Sequence, residues 1–422
     1  MSEYFEIEGG NPLYGQTTVH GAKNAVLPLL AMGILSDDTV TVCDCPDISD
    51  VRAMCGLLQN LGVRVERADR RISVSGSAHI ARVSEAFCKD MRSSMFMLGA
   101  LLASLGEVEM PLPGGCKIGS RPLDIHIDGL RRMGATAEYT RNGIRCYAKK
   151  LHGADVVLKF PSVGATENLI MCASLAQGKT TLVNVAREPE IISLAQGLRA
   201  MGARISGEGS SVIKIDGVDK LGGCRITPVG DRIVAGTLLS AVALCGGEVR
   251  INGVGDEYLG SVVETLRSEE ISIYADECGM LVRSSGRAHP VRVATAPYPM
   301  FPTDMQPQLF AFACFADGVS CIKETVFENR FAHAKEFAKL GANIRLENNV
   351  ATVYGNSLLK DVAAADSLRA SDLRGGAGLM IAALKINGKT SVFGSEYIDR
   401  GYESIEDVFC SLGGVVRRKT TD

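Results

Sequence analysis

One short phrase returns through the chain at long, regular intervals, and it constrains the fold more than any single residue does. Leu61-Gly62-Val63, Met133-Gly134-Ala135, Met201-Gly202-Ala203, Leu340-Gly341-Ala342 and Leu412-Gly413-Gly414 each close an amphipathic segment. A glycine just past a helix can turn left-handed and let the chain satisfy the last carbonyls. Upstream of each closure lies a segment of apolar and small residues at helical spacing. These segments open at Gly21-Ala22-Lys23-Asn24, Arg92-Ser93-Ser94, Gly164-Ala165-Thr166, Asp231-Arg232-Ile233, Thr303-Asp304-Met305-Gln306 and Asp372-Leu373-Arg374. The six starts are spaced by roughly 70 residues, longer than common solenoid repeats. The fourth copy reads Leu266-Arg267-Ser268-Glu269 and has lost the glycine. Between the two helices of each copy comes a β-rich run such as Thr180-Thr181-Leu182-Val183. The spacing predicts an α/β chain of six helix–strand–helix–strands units, three to a lobe, dividing near Gly222-Gly223 to Pro228-Val229-Gly230. A ligand serving both lobes is expected in the cleft between them.

Composition narrows the function classes. The net charge of −3 gives no bulk attraction to nucleic acid or to a membrane surface. The acidic start, Met1-Ser2-Glu3-Tyr4-Phe5-Glu6-Ile7, has no apolar core region and predicts no signal peptide. No apolar run reaches the ~18 residues of a membrane span. The 13 cysteines are odd in number and contain no C-x-x-C pair. They read as reduced cytosolic thiols, with neither a disulfide framework nor a zinc site. Gly178-Lys179-Thr180 and Gly388-Lys389-Thr390 end like a phosphate-binding loop but lack its earlier glycine and follow a helix. No cofactor or metal motif remains.

Chemistry concentrates elsewhere. Pro111-Leu112-Pro113-Gly114-Gly115-Cys116-Lys117 continues through Ile118-Gly119-Ser120-Arg121-Pro122 and places a thiol among residues that cannot build a core. Neighbouring cations favour the thiolate form of such a cysteine. Charged and polar residues also recur at the helix starts: Lys23, Asn24, Arg92, Asp231, Arg232, Asp304, Asp372 and Arg374. Aspartates there can cap the helix. Cations there oppose the helix dipole unless an anion neutralises them, so as a set they predict an anionic ligand. Phe327-Glu328-Asn329-Arg330 and Asp399-Arg400-Gly401-Tyr402 form two further clusters, and His126 reads as a structural hydrogen-bonding histidine.

These residues resemble the enolpyruvyl transferase family, and within it the members that act on UDP-N-acetylglucosamine in peptidoglycan precursor synthesis. The resemblance runs end to end. It rests on Gly21-Ala22-Lys23-Asn24, the Pro113-Gly114-Gly115-Cys116 loop, Ser162-Val163-Gly164-Ala165-Thr166 and Arg187-Glu188-Pro189-Glu190. In the second half it rests on Phe301-Pro302-Thr303-Asp304-Met305-Gln306, Thr325-Val326-Phe327-Glu328-Asn329-Arg330, Asp372-Leu373-Arg374 and Asp399-Arg400-Gly401-Tyr402. It implies an α/β (α+β) fold: a two-lobed inside-out α/β barrel of six β-α-β-α-β-β units. The first lobe would be 21–229, carrying the cysteine loop 112–121, and the second 1–20 with 230–422, carrying Asp304 and Arg400.

The implied reaction moves the enolpyruvyl group of phosphoenolpyruvate to a sugar hydroxyl through a tetrahedral ketal. Cys116 would be the acid at the methylene carbon, and Asp304 the base at the hydroxyl. Lys23, Arg121 and Arg400 would hold phosphate and carboxylate, with Arg92, Asp372 and Arg374 lining the same cleft. Asn24 would orient phosphoenolpyruvate. Arg121, Pro122, Leu123, Asp124 and Ile125, with Ser162, Val163, Gly164 and Val326, would contact the sugar nucleotide. Ser49 and Phe160 stand where some relatives carry lysine. The resemblance further implies a cytoplasmic monomer without cofactor, metal, nucleic acid or membrane partner, and a Cys116 open to alkylation by the epoxide fosfomycin. A sister enzyme acting on shikimate 3-phosphate and a non-catalytic binding paralogue are the alternatives.

Overall fold

The structure, a computed structural model, describes residues 3–89, 91–112, 118–119, 123–355 and 367–421. The chain separates into two compact units, one within residues 21–229, the other within 1–20 and 230–422 together with 118–119.

In the unit within 21–229, three helices buried on nearly every face form the centre: Lys23–Met32, Phe96–Leu105 and Val163–Leu175. Phe96–Leu105 packs against both of the others. A helix hydrophobic on every face has to be enclosed. The enclosure comes from the second helix of each copy, such as Ser49–Asn60 and Pro189–Ala200, and from three sheets. One sheet shows the repeat cleanly. Asp155–Val157 lies parallel to Lys179–Val183, which pairs antiparallel with Val212–Asp216, which in turn pairs with Arg204–Ser206. Thr180, Leu182, Ile213 and Ile215 point inward from alternate positions. The other unit repeats the plan around Arg232–Cys245, Gln306–Cys314 and Leu373–Lys385, which pack on one another.

The repeated glycines behave as their position requires. Gly62, Gly134, Gly202, Gly341 and Gly413 have φ of +92°, +90°, +104°, +87° and +93°. After each, the next residue's N–H closes back on a carbonyl five residues earlier, as in Val63 to Leu58 at 3.1 Å and Gly414 to Phe409 at 2.9 Å. In the glycine-free fourth copy, Arg267 caps the helix in extended conformation at φ −62°.

The first strand of each copy is where periodicity alone misleads. Glu3–Gly9 inserts between Gly388–Phe393 and Val415–Thr420, so the N-terminus completes the sixth copy. Leu13–Thr18 pairs in parallel with Gly247–Asn252 and opens the fourth. Cys224–Ile226 pairs in parallel with Val40–Val42 and supplies the first copy's opening strand from the far end of its unit. In the second copy that place holds, among the described residues, a bridge between Arg82 and Glu109. Among the described residues no helix is long and apolar enough to cross a membrane.

Candidate active site

In the unit carrying 230–422, Asp304 sits in the tight turn Thr303–Met305 that leads into Gln306–Cys314. Its carboxylate takes two guanidiniums. Arg330 reaches Oδ1 at 3.2 Å and Arg374 reaches Oδ2 at 3.2 Å. The arginine side chains are 2% and 4% exposed, whereas Asp304 remains 29% exposed. Two buried cations thus orient one carboxylate that still faces outward, the disposition a base for an incoming hydroxyl needs. Burial opposes the charge of Arg374, but the Tyr402 phenol, Asp304 and Asp231 overcome it and hold its affinity for the proton above the ordinary arginine range. The same guanidinium lies 5.5 Å from the Tyr402 ring centroid. The Tyr402 hydroxyl is 2.8 Å from Thr237 Oγ1, and Gln308 Nε2 donates to that Oγ1 at 3.0 Å.

The three helix-start aspartates divide by role. Asp231 caps Arg232–Cys245 by accepting from the N–H groups of Ile233 and Val234 at 2.9 and 3.0 Å. Asp372 caps Leu373–Lys385 through Arg374 and Gly375 at 3.1 and 3.0 Å. The Asp304 oxygens accept instead from the two arginines. Arg330 belongs with Asp304, Asp372 and Arg374, although sequence reasoning placed it only in a neighbouring cluster. Arg400 lies between two anchored residues, Tyr402 and Asp399, and Asp399 takes both terminal nitrogens of Arg418 at 2.8 and 2.7 Å. The Val326 N–H is held by Glu324 at 2.8 Å.

In the unit within 21–229, Lys23 starts its helix against the dipole, with Nζ 2.6 Å from Asp50. Asp50, in the first turn of Ser49–Asn60, is the neutralising anion that sequence reasoning missed. Asn24 follows in the same turn as Lys23. Leu123, Asp124 and Ile125 open the helix Asp124–Arg132, and Ser162 caps Val163–Leu175 by accepting from the Ala165 N–H at 3.4 Å. His126 joins these two helix starts. It lies within hydrogen-bond reach of Asn168 at 3.3 Å, and a Cβ at Gly164 would stand 3.5 Å from its ring. Arg92, at the start of Arg92–Met95, acts electrostatically on His126. Near the Phe160 position, Lys159 pairs with Asp128 at 3.0 Å and lies 4.0 Å from Asp124. Cys116, Arg121 and Pro122 lie outside the described residues.

Two buried histidines bear on pH. Burial, then Arg92, pushes His126 down to about 4, and burial with Arg330 does the same to His333 despite the Asp372 carboxylate. A histidine harder to protonate when folded makes the unfolded chain bind more protons between its folded and unfolded values. Stability from both groups is therefore complete above ~6.5 and is lost as pH falls towards 4, by up to about 3 kcal/mol for each. Urea unfolding of the native chain and of His126→Gln at pH 7 and pH 4.5 checks this. The variant is expected to lose less stability between the two pH values, and an unchanged difference contradicts the assignment.

Comparison with known proteins shows the family. The family model described as EPSP synthase (3-phosphoshikimate 1-carboxyvinyltransferase) matches residues 7–409. A UDP-N-acetylglucosamine 1-carboxyvinyltransferase of Cereibacter sphaeroides is 43% identical, over 98% of this chain and 98% of its own length. A second such protein, UDP-N-acetylglucosamine 1-carboxyvinyltransferase 2 of Caldanaerobacter subterraneus subsp. tengcongensis, is 40% identical over 98% of this chain and 99% of its own. In fold, the enolpyruvyl transferase NikO from Streptomyces tendae superposes with a TM-score of 0.88 at 24% identity, each chain covered in full. EPSP synthase from Acinetobacter baumannii superposes at 0.75 and 19% identity, over 99% of this chain and 100% of its own. With a family model spanning nearly the whole chain and full-length relatives at this level of identity, the chain belongs to the enolpyruvyl transferase family.

Proposed function

We propose that this chain transfers the enolpyruvyl group of phosphoenolpyruvate to the 3′-hydroxyl of UDP-N-acetylglucosamine, releasing phosphate, as the entry step of peptidoglycan precursor synthesis. The Asp304 carboxylate held between Arg330 and Arg374 carries the reading, because it supplies an oriented proton acceptor beside two buried cations. The names of the full-length relatives at 40–43% identity support the choice of acceptor over shikimate 3-phosphate. The chain works in this reading as a cytoplasmic monomer.

The residues divide the reaction as follows. Asp304 takes the hydroxyl proton while the oxygen bonds to C2 of phosphoenolpyruvate. A carboxylate is too weak a base to ionise an alcohol beforehand, so the two events are concerted. Cys116 delivers a proton to the methylene carbon, giving the tetrahedral ketal. Loss of a methyl proton and departure of phosphate then restore the double bond. Lys23, Arg121 and Arg400 hold phosphate and carboxylate and stabilise developing charge, and Arg92, Asp372 and Arg374 bind substrate as well. Asn24 orients phosphoenolpyruvate. Leu123 to Ile125, Ser162 to Gly164 and Val326 contact the sugar nucleotide, together with Arg121 and Pro122.

Phosphate release from phosphoenolpyruvate with each acceptor tests the reading. Turnover is expected with UDP-N-acetylglucosamine and not with shikimate 3-phosphate; the reverse pattern, or silence with both, overturns it. Cys116→Ser is expected to lower kcat by ~10²–10⁴, the span of general acid–base catalysis. Fosfomycin is expected to alkylate the Cys116 sulfur by opening its epoxide, and mass spectrometry showing no adduct there removes the thiol from this role.

A further inference from the structure

Glu324 is a carboxylate buried to 2% exposure, and the reaction scheme above gives it no part. Its Oε1 accepts from Thr295 Oγ1 at 2.8 Å, from the Val326 N–H at 2.8 Å and from the Phe327 N–H at 3.1 Å. Its Oε2 accepts from Thr303 Oγ1 at 3.0 Å. Its own backbone is pinned to Asn349, by a bond from its N–H at 2.8 Å and one to its carbonyl at 2.7 Å. Burying a carboxylate is costly unless hydrogen bonds replace water, and here four donors do so.

The donors come from three separate stretches, and two of them lead to Asp304. Thr303 is its chain neighbour. Val326 and Phe327 form the turn before Arg330, and the Arg330 guanidinium lies 5.9 Å from the centre of the Phe327 ring. Arg330 in turn holds Asp304 Oδ1. Glu324 therefore grips Asp304 from two sides, through Thr303 and through the seat of its arginine partner. The same bonds fix Val326, which the proposed function sets against the sugar nucleotide.

We infer that Glu324 is a positioning residue, which through Thr303 and the Val326-Phe327 turn sets both the direction of the Asp304 carboxylate and the seat of the acceptor. This rests on the function proposed above. Displacing a reacting group by about 1 Å costs on the order of 10²-fold in rate, so a carboxylate that never meets substrate can still govern kcat.

Thr303→Val tests the first arm, because it removes one hydroxyl and keeps the side-chain shape. It is expected to lower kcat by roughly 10- to 100-fold with the KM for phosphoenolpyruvate unchanged, and Thr303→Ser is expected to restore kcat. Glu324→Ala is expected to lower kcat and also raise the KM for UDP-N-acetylglucosamine. In Glu324→Gln the remaining oxygen can keep three donors, while the amide donates to the Thr303 hydroxyl, so both constants are expected to recover substantially. If Glu324→Ala does not fold, the Thr303 pair carries the test. A folded Thr303→Val with native kcat overturns the inference while leaving the proposed function standing. A native chain that releases no phosphate with UDP-N-acetylglucosamine overturns both.

Discussion

Asp304→Asn is expected to lower kcat for phosphate release by ~10²–10⁴ while the protein stays folded. The substitution keeps size and shape and removes the proton acceptor. It also leaves an amide between two guanidiniums that are 2% and 4% exposed. One carboxamide oxygen can serve one arginine, but the amide nitrogen is a donor facing a second donor. Leaving a buried cation without its partner costs ~3–5 kcal/mol. The partial exposure of Asp304 admits water and keeps the loss towards the lower end. Rate and stability should therefore fall together for different reasons, which steady-state turnover and urea unfolding separate. A folded variant turning over within a few-fold of the native chain shows that another group accepts the proton.

Phe310→Ala is expected to destabilise the unit that carries Asp304 by about 3–5 kcal/mol. Phe310 is fully buried. Its ring centroid lies 4.9 Å from that of His333, 5.2 Å from that of Phe337 and 6.1 Å from that of Phe331. Removing it opens a cavity that three rings cannot collapse into without moving the segment that also bears Arg330. It further loosens the helix from which Gln308 supports Tyr402. The urea midpoint should drop strongly and kcat of the surviving folded fraction should drop modestly. A midpoint shift corresponding to under about 1 kcal/mol would mean that the aromatic cluster repacks freely.

How much of this was legible beforehand depends on the range over which each feature is determined. The helix-closing glycines were readable because a left-handed residue after a helix is a local demand, satisfied by bonds within six residues, as Val63 to Leu58 shows. The caps Asp231 and Asp372 were readable for the same reason, since each bonds the backbone two and three residues on. Asp304 carries the same local signature as those two and does something else. Its partners lie 26 and 70 residues away in the chain, and nothing near Thr303 announces them. The resemblance to enolpyruvyl transferases gave roles to Asp304, Arg374 and Lys23, but none to Arg330, which it only quoted within a motif, or to Asp50, and these hold Asp304 and Lys23 in place.

The six-fold alternation, the left-handed closures and the apolar central helices follow from the amino-acid sequence by itself, because periodicity and turn chemistry act between near neighbours. Only the tertiary structure decided that Glu3–Gly9 completes the sixth copy, that Cys224–Ile226 opens the first, that Asp50 answers Lys23, and that Glu324 gathers Thr295, Thr303, Val326 and Phe327. Those pairings join segments distant in sequence. Their energy comes from desolvated charges and strand edges that exist only once the units have closed around them.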